Sequence, residues 1–106
     1  MSAERIVMNI TEIQITPVKP QGGLVAFASF VFGDALYCGS VGIFTRPNGG
    51  YRLVYPTKEV AGRQLDMYHP ISGVVGRLIE QEVTAKYEEV MNNAGHRHSH
   101  SDVLPE

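Results

Sequence analysis

The sequence predicts an α+β domain, a four-stranded antiparallel β-meander followed by one C-terminal α-helix. Three observations predict it. Residues 10–18 alternate apolar and polar side chains with the period of two of a half-buried strand. Clusters of Gly, Pro, Asn and Asp at 19–23, 33–34 and 47–50 then separate a series of short apolar segments. Finally, Val75, Leu78, Ile79, Val83, Tyr87, Val90 and Met91 recur at spacings of three and four, which makes one apolar stripe on a helix.

Residues 1–9 show no pattern and are expected to be a flexible N-terminus. In residues 10–18, Ile13 and Ile15 point to one face and Glu12, Gln14 and Thr16 to the other. Pro17 marks this strand as an edge or its terminus, because proline cannot donate to a ladder. Lys19-Pro20-Gln21-Gly22-Gly23 reads as a turn. The next segment, LVAFASFVF at 24–32, is apolar almost without break. Periodicity alone is also compatible with a helix there. The flanking glycines and the aromatic content favour a strand buried on both faces.

Gly33-Asp34 is expected to form a two-residue hairpin turn of type II′. Residues 35–45 return as the third strand, with Gly39 and Gly42 marking a bulge or a close backbone approach. Pro47-Asn48-Gly49-Gly50 turns the chain into a fourth strand at 51–55, which Pro56 stops. Residues 55–71, YPTKEVAGRQLDMYHPI, read as a loop with a short extended piece at 64–67. Ser72 is the expected N-cap of the helix, its hydroxyl accepting from an orphan N–H. Gly76 costs that helix about 1 kcal/mol against alanine. Asn92-Asn93-Ala94-Gly95 is expected to end it, leaving 93–106 as a disordered, His-containing tail. One helix covers one face of one sheet, whereas residues 24–32 call for cover on both. A homodimer whose sheets meet is therefore expected.

A chain of 106 residues fits one domain, here 10–92. With 43% hydrophobic and 19% charged residues it is globular. The formal charge of −2 gives no global signal for nucleic acid. The distribution is uneven. Between Ile13 and Ile79 six basic residues stand against three acidic ones, while Glu80, Glu82, Glu88 and Glu89 of the helix face only Lys86. The single cysteine, Cys38, allows no internal disulfide and is expected to be a buried, inert thiol. No charged-then-apolar leader and no membrane-length apolar run are present, so a cytoplasmic protein is expected.

Several stretches together resemble one family. ITEIQITPV resembles its opening strand, GGLVAFASFVFGDALYCGSVGIF its central hairpin, and YRLVYPTK its strand ending in Pro-Ser-Lys. LDMYHPI resembles its Asp-Ile-x-His-Pro-Ile segment, and the helix follows at the same distance. The chain is thus similar, over about residues 10–91, to the stage V sporulation protein G family, also called septation protein SpoVG. The resemblance implies a small bacterial regulator without enzymatic activity or cofactor, dimeric through its sheet and linked to septation and sporulation control. It also implies DNA or RNA binding through basic residues of the Pro-Ser-Lys loop. Lys58 matches the family lysine. Glu59 stands where an arginine is usual, and Leu65 replaces the arginine before the aspartate, with Arg63 two residues earlier as a substitute. Exchanging a cation for an anion weakens phosphate binding. The alternative reading is therefore a dimeric protein-interaction module that has lost nucleic-acid binding.

The candidate nucleic-acid-binding residues are Lys58 and Arg63, with Arg52 and Arg46 secondary. Tyr37, Tyr51, Tyr55 and Phe44 are candidates for stacking on unpaired bases, provided they lie on an exposed sheet face. Strand order alone decides that. No catalytic residues are assigned. Cys38, Asp66 and His69 make a conceivable nucleophilic set, but only if a pocket joins Cys38 to His69. Asp66 and His69 are instead expected to hydrogen-bond the loop and set the angle at which the chain enters the helix. His96, His98 and His100 alternate in the tail. A flexible segment offers no preformed shell for a metal, so none is assigned.

Overall fold

The computed structural model describes the backbone of residues 9–103 and the side chains of residues 9–93. Strands β1 (Ile10–Gln21), β2 (Leu24–Phe32), β3 (Leu36–Thr45) and β4 (Tyr51–Val54) form one antiparallel sheet in the order β1-β2-β3-β4. The predicted meander is therefore present. It is followed by a two-stranded sheet, β5 (Thr57–Val60) and β6 (Arg63–Asp66), and by the helix α1 (Gly73–Val103).

Three local readings are corrected. First, β1 continues to Gln21, because Gly22 and Gly23, both at positive φ, close the turn alone. Lys19-Pro20-Gln21 stays extended, and both prolines are tolerated because β1 is an edge strand. Second, the Gly33-Asp34 turn has both residues at positive φ (62° and 57°), the type I′ pattern rather than II′. Aspartate accepts the left-handed region more readily than most side chains.

The bulge expected at Gly39 is present: it falls between Ala28↔Val41 and Phe30↔Cys38, so that Gly39 and Ser40 together oppose Ser29. Its left-handed residue is Ser40 (φ 62°), not a glycine. Third, the expected loop at 55–71 contains the β5–β6 hairpin: the short extended piece expected at 64–67 is present as β6, and β5 is the strand that was not expected. The hairpin turn is Ala61-Gly62, with φ 53° and 77°. Alanine is seldom found at positive φ, so Ala61-Gly62 carries no hairpin signal.

The core lies between the sheet and α1. Ala26, Ala28 and Phe30 of β2, with Cys38, Val41 and Ile43 of β3, present one buried face. The two alanines keep that face low, so Ile79, Val83 and Tyr87 of α1 are seated on it. Fully burying a side chain such as Ile43 or Val83 is worth about 1.5–3 kcal/mol. Tyr87 also meets Tyr51 edge-to-face, with ring centroids 5.1 Å apart. The Ser72 cap forms as expected, its Oγ accepting from the Val75 N–H at 3.2 Å. The helical backbone runs on to Val103, beyond the stop expected at 92–95. Residues 1–8 and the side chains of His96, His98 and His100 lie outside the described residues.

The other sheet face has no element over it. The expectation that Leu24–Phe32 is buried on both faces therefore fails for the single chain. Ala26, Ala28 and Phe30 are buried, but Phe27 on the opposite face is 41% exposed.

Candidate nucleic-acid interface

The β5–β6 hairpin sorts the charged residues of the family-like segment onto two faces. Lys58 pairs with Leu65, and Val60 with Arg63. Side chains alternate faces along a strand. Lys58, Val60, Arg63 and Leu65 therefore share one face, and Thr57, Glu59, Gln64 and Asp66 share the other. The Thr57 hydroxyl donates to Gln64 Oε1 at 2.7 Å on the latter face, as this assignment requires. All eight hairpin residues are exposed. Neither Lys58 nor Arg63 makes an ion pair among the described residues. Glu59 thus has its back to the two cations.

The secondary candidates are elsewhere. Arg52 lies opposite Phe44 in the β3–β4 ladder, its guanidinium carbon 5.0 Å from the Phe44 ring centroid. Arg46, just past β3, is committed to the helix. Its Nη2 is 3.2 Å from Glu80 Oε2, and its Nε donates to the Tyr51 carbonyl. The aromatic candidates divide in the same way. Tyr51 and Tyr55 are turned inward, against Tyr87 and Tyr68. Tyr37 is outward and 71% exposed. Phe27, which sequence reasoning did not select, shares this outer face. Its signal was its odd position in β2, opposite to the alanines.

A cleft of about 370 Å³ opens between the sheet and the start of α1. Its walls include Phe30, Leu36, Cys38, Tyr55, His69 and Ile71, so it does join Cys38 to His69. It does not assemble a nucleophile. Burial pushes the Cys38 thiol above its ordinary pKa, away from thiolate. No hydrogen bond links Cys38 to His69 among the described residues. His69 instead stands 3.5 Å from Asp66 Oδ2 through Nε2, and its Nδ1 lies 3.2 Å from the Pro70 carbonyl. His69 thus meets the backbone as expected, through Pro70, whereas Asp66 meets the His69 ring and not the backbone. Tyr55 is pushed up to about 12 by burial, with Cys38 and Glu80 adding to it. Tyr68 is raised as well, again mainly by burial. Its hydroxyl donates to the Gly39 carbonyl at 2.7 Å.

No group of three or more His, Cys, Asp or Glu side chains is placed to hold a metal among the described residues. Among those residues, too, no helix is long and apolar enough to cross a membrane.

A meander backed by one helix, with Lys58 and Arg63 on one face of an exposed hairpin, defines a small α+β domain. The chain belongs to the SpoVG family, whose model matches residues 8–89. Among its relatives is a protein of Phytoplasma australiense, 26% identical over 86 residues (81% of this chain and 90% of the relative). A Clostridium perfringens relative is 26% identical over 85 residues, covering 80% and 94% of the two chains. One from Caldicellulosiruptor saccharolyticus is 25% identical over 85 residues, covering 80% and 97%. All three carry the name septation protein SpoVG.

Proposed function

We propose that this chain is a non-enzymatic, cytoplasmic bacterial regulator in septation or sporulation control that binds DNA or RNA through the basic face of the β5–β6 hairpin. The names of its relatives support the process. One observation carries the binding: Lys58 and Arg63 share an exposed face, and Glu59 projects from the other. The substitution that weighed against phosphate binding is thereby kept off the binding face. Arg52 assists, whereas Arg46 has its charge occupied by Glu80. Fluorescence anisotropy with short labelled single- and double-stranded DNA and RNA across a salt series tests this. The reading expects binding with a steep salt slope, lost in Lys58→Glu/Arg63→Glu. A folded protein that binds none of the probes at low salt would overturn it.

A second reading, a protein-interaction surface, is favoured by the mouth of the cleft. Leu36 and Ile71 line it and are 56% and 94% exposed. Val74, on the first turn of α1, is 66% exposed. We propose this end for the homodimer in place of the outer sheet face. Ile71 and Leu36 are bare aliphatic side chains, whereas the aromatics of the outer face are interleaved with polar groups. A patch that meets its own copy across a two-fold axis buries both at once.

A further inference from the structure

We propose that the outer face of the four-stranded sheet is a stacking platform for the unpaired bases of a single-stranded nucleic acid. This rests on the nucleic-acid reading above and adds the class of ligand and a second contact surface.

The strand register brings the relevant groups together. Phe27 opposes Gly42, Val31 opposes Tyr37, and Phe44 opposes both Leu24 and Arg52. Two glycines floor this face. A Cβ at Gly39 would stand 2.9 Å from the Tyr37 ring, and one at Gly42 would stand 3.0 Å from the Phe44 ring. The rings therefore lie flat over glycine backbone: Phe44 helps to bury Gly42, and Tyr37 covers Gly39 while staying exposed itself. Phe27 and Tyr37 border a groove of about 400 Å³ whose other walls include Gln14, Thr16, Ser29 and Ser40. An aromatic platform edged by hydroxyls and an amide suits a flat heterocycle with polar edges better than it suits an apolar protein core.

Charge narrows the occupant further. Strands β2, β3 and β4 contain no acidic residue and one cation, Arg52, while the edge strand β1 adds one charge of each sign, Glu12 and Lys19. The Arg52 guanidinium, 5.0 Å from the Phe44 centroid, is placed to stack or to meet a phosphate. A duplex hides its base faces, so it would engage the hairpin cations but not this platform. Single strands would use both.

The protein has no tryptophan, so Tyr37→Trp installs a single indole on the platform and keeps an aromatic ring there. Its emission is followed while labelled oligo(dT) and a duplex of the same length are titrated in, with anisotropy measured in parallel. The platform predicts quenching by oligo(dT) and none by the duplex. Tyr37→Ala should weaken oligo(dT) binding about tenfold, within the range for one stacked base, and leave duplex binding unchanged. Oligo(dT) binding that is lost in Lys58→Glu/Arg63→Glu but ignores Tyr37→Ala, with no quenching, would overturn the platform and leave the hairpin reading intact. No binding of any probe would overturn both. Indole emission that shifts to the blue with protein concentration, without nucleic acid, would assign the face to a second copy and overturn the platform.

Discussion

Tyr68 donates a 2.7 Å hydrogen bond to the carbonyl of Gly39, tying the segment after the β5–β6 hairpin to the bulge in β3. Tyr68 also meets Tyr55 edge-to-face, with centroids 5.7 Å apart. The hairpin leaves the sheet between these two tyrosines, and the Met67 N–H returns to the Pro56 carbonyl at 2.9 Å. Tyr68→Phe keeps the ring contact and removes only the hydrogen bond. It should cost about 0.5–1.5 kcal/mol, read as a lower urea midpoint with an unchanged slope. A variant as stable as the parent would show that water replaces the bond at no cost.

The turn of the hairpin is strained at one place. Ala61 has φ 53°, where a Cβ is disfavoured by roughly 1–2 kcal/mol. Ala61→Gly removes that strain and pays some backbone entropy in return. The expected result is slower amide exchange within 57–66, by about threefold, with little change in the core strands. Faster exchange in the hairpin would mean that the alanine is well accommodated.

The meander, the N-cap at Ser72 and the inward stripe of α1 were legible because each is a local signal. Alternation, turn chemistry and a 3.6-residue period all depend on near neighbours. The hairpin was not legible because its turn is Ala-Gly, and because its strands are four residues long and exposed throughout. No alternation of burial marks them. Lys58 and Arg63 were found from composition and resemblance, yet their shared face depends on the register with Leu65 and Val60. Arg46 illustrates the converse. Its partner, Glu80, is 34 residues away, so only the fold could show the ion pair between them.

Two half-buried phenols make the fold sensitive to alkali. The folded pKa of Tyr55 is pushed up to about 12, and Tyr68 is raised in the same direction. Above pH 10 the unfolded chain sheds these protons before the folded one does. The stability they contribute is complete below pH 10 and is lost as pH rises through about 12. The urea midpoint should therefore fall between pH 9 and pH 11.5, and Tyr55→Phe should blunt the fall. An equal fall in that variant would place the effect elsewhere.

The homodimer proposed above has two candidate surfaces. Light scattering on Ile71→Asp and Tyr37→Asp separates them, since both positions are exposed in the single chain. A dimer at the cleft mouth predicts a monomer for Ile71→Asp and a dimer for Tyr37→Asp. The reverse pattern would return the dimer to the outer sheet face and remove that face from any role in base stacking.

The two faces of the hairpin make a sharper prediction for phosphate binding than net charge does. A cation that neutralises a phosphate releases a counterion, and each such contact adds about 0.9 to the slope of log affinity against log salt on duplex DNA. Lys58→Gln and Arg63→Gln should each lower that slope by about 0.9. Arg46→Gln changes the net charge by the same amount, but its guanidinium pairs with Glu80 and lies outside the hairpin. Its slope should be unchanged. Glu59→Gln removes an anion from the opposite face, so it should leave the slope unchanged too, and screening should hold its gain in affinity below about threefold. Net charge alone predicts equal losses for the three cations and an equal gain for Glu59→Gln. Only an ordered contact with one face of β5–β6 separates Lys58 and Arg63 from Arg46 and Glu59, so equal effects at all four positions would reduce the interface to a diffuse field.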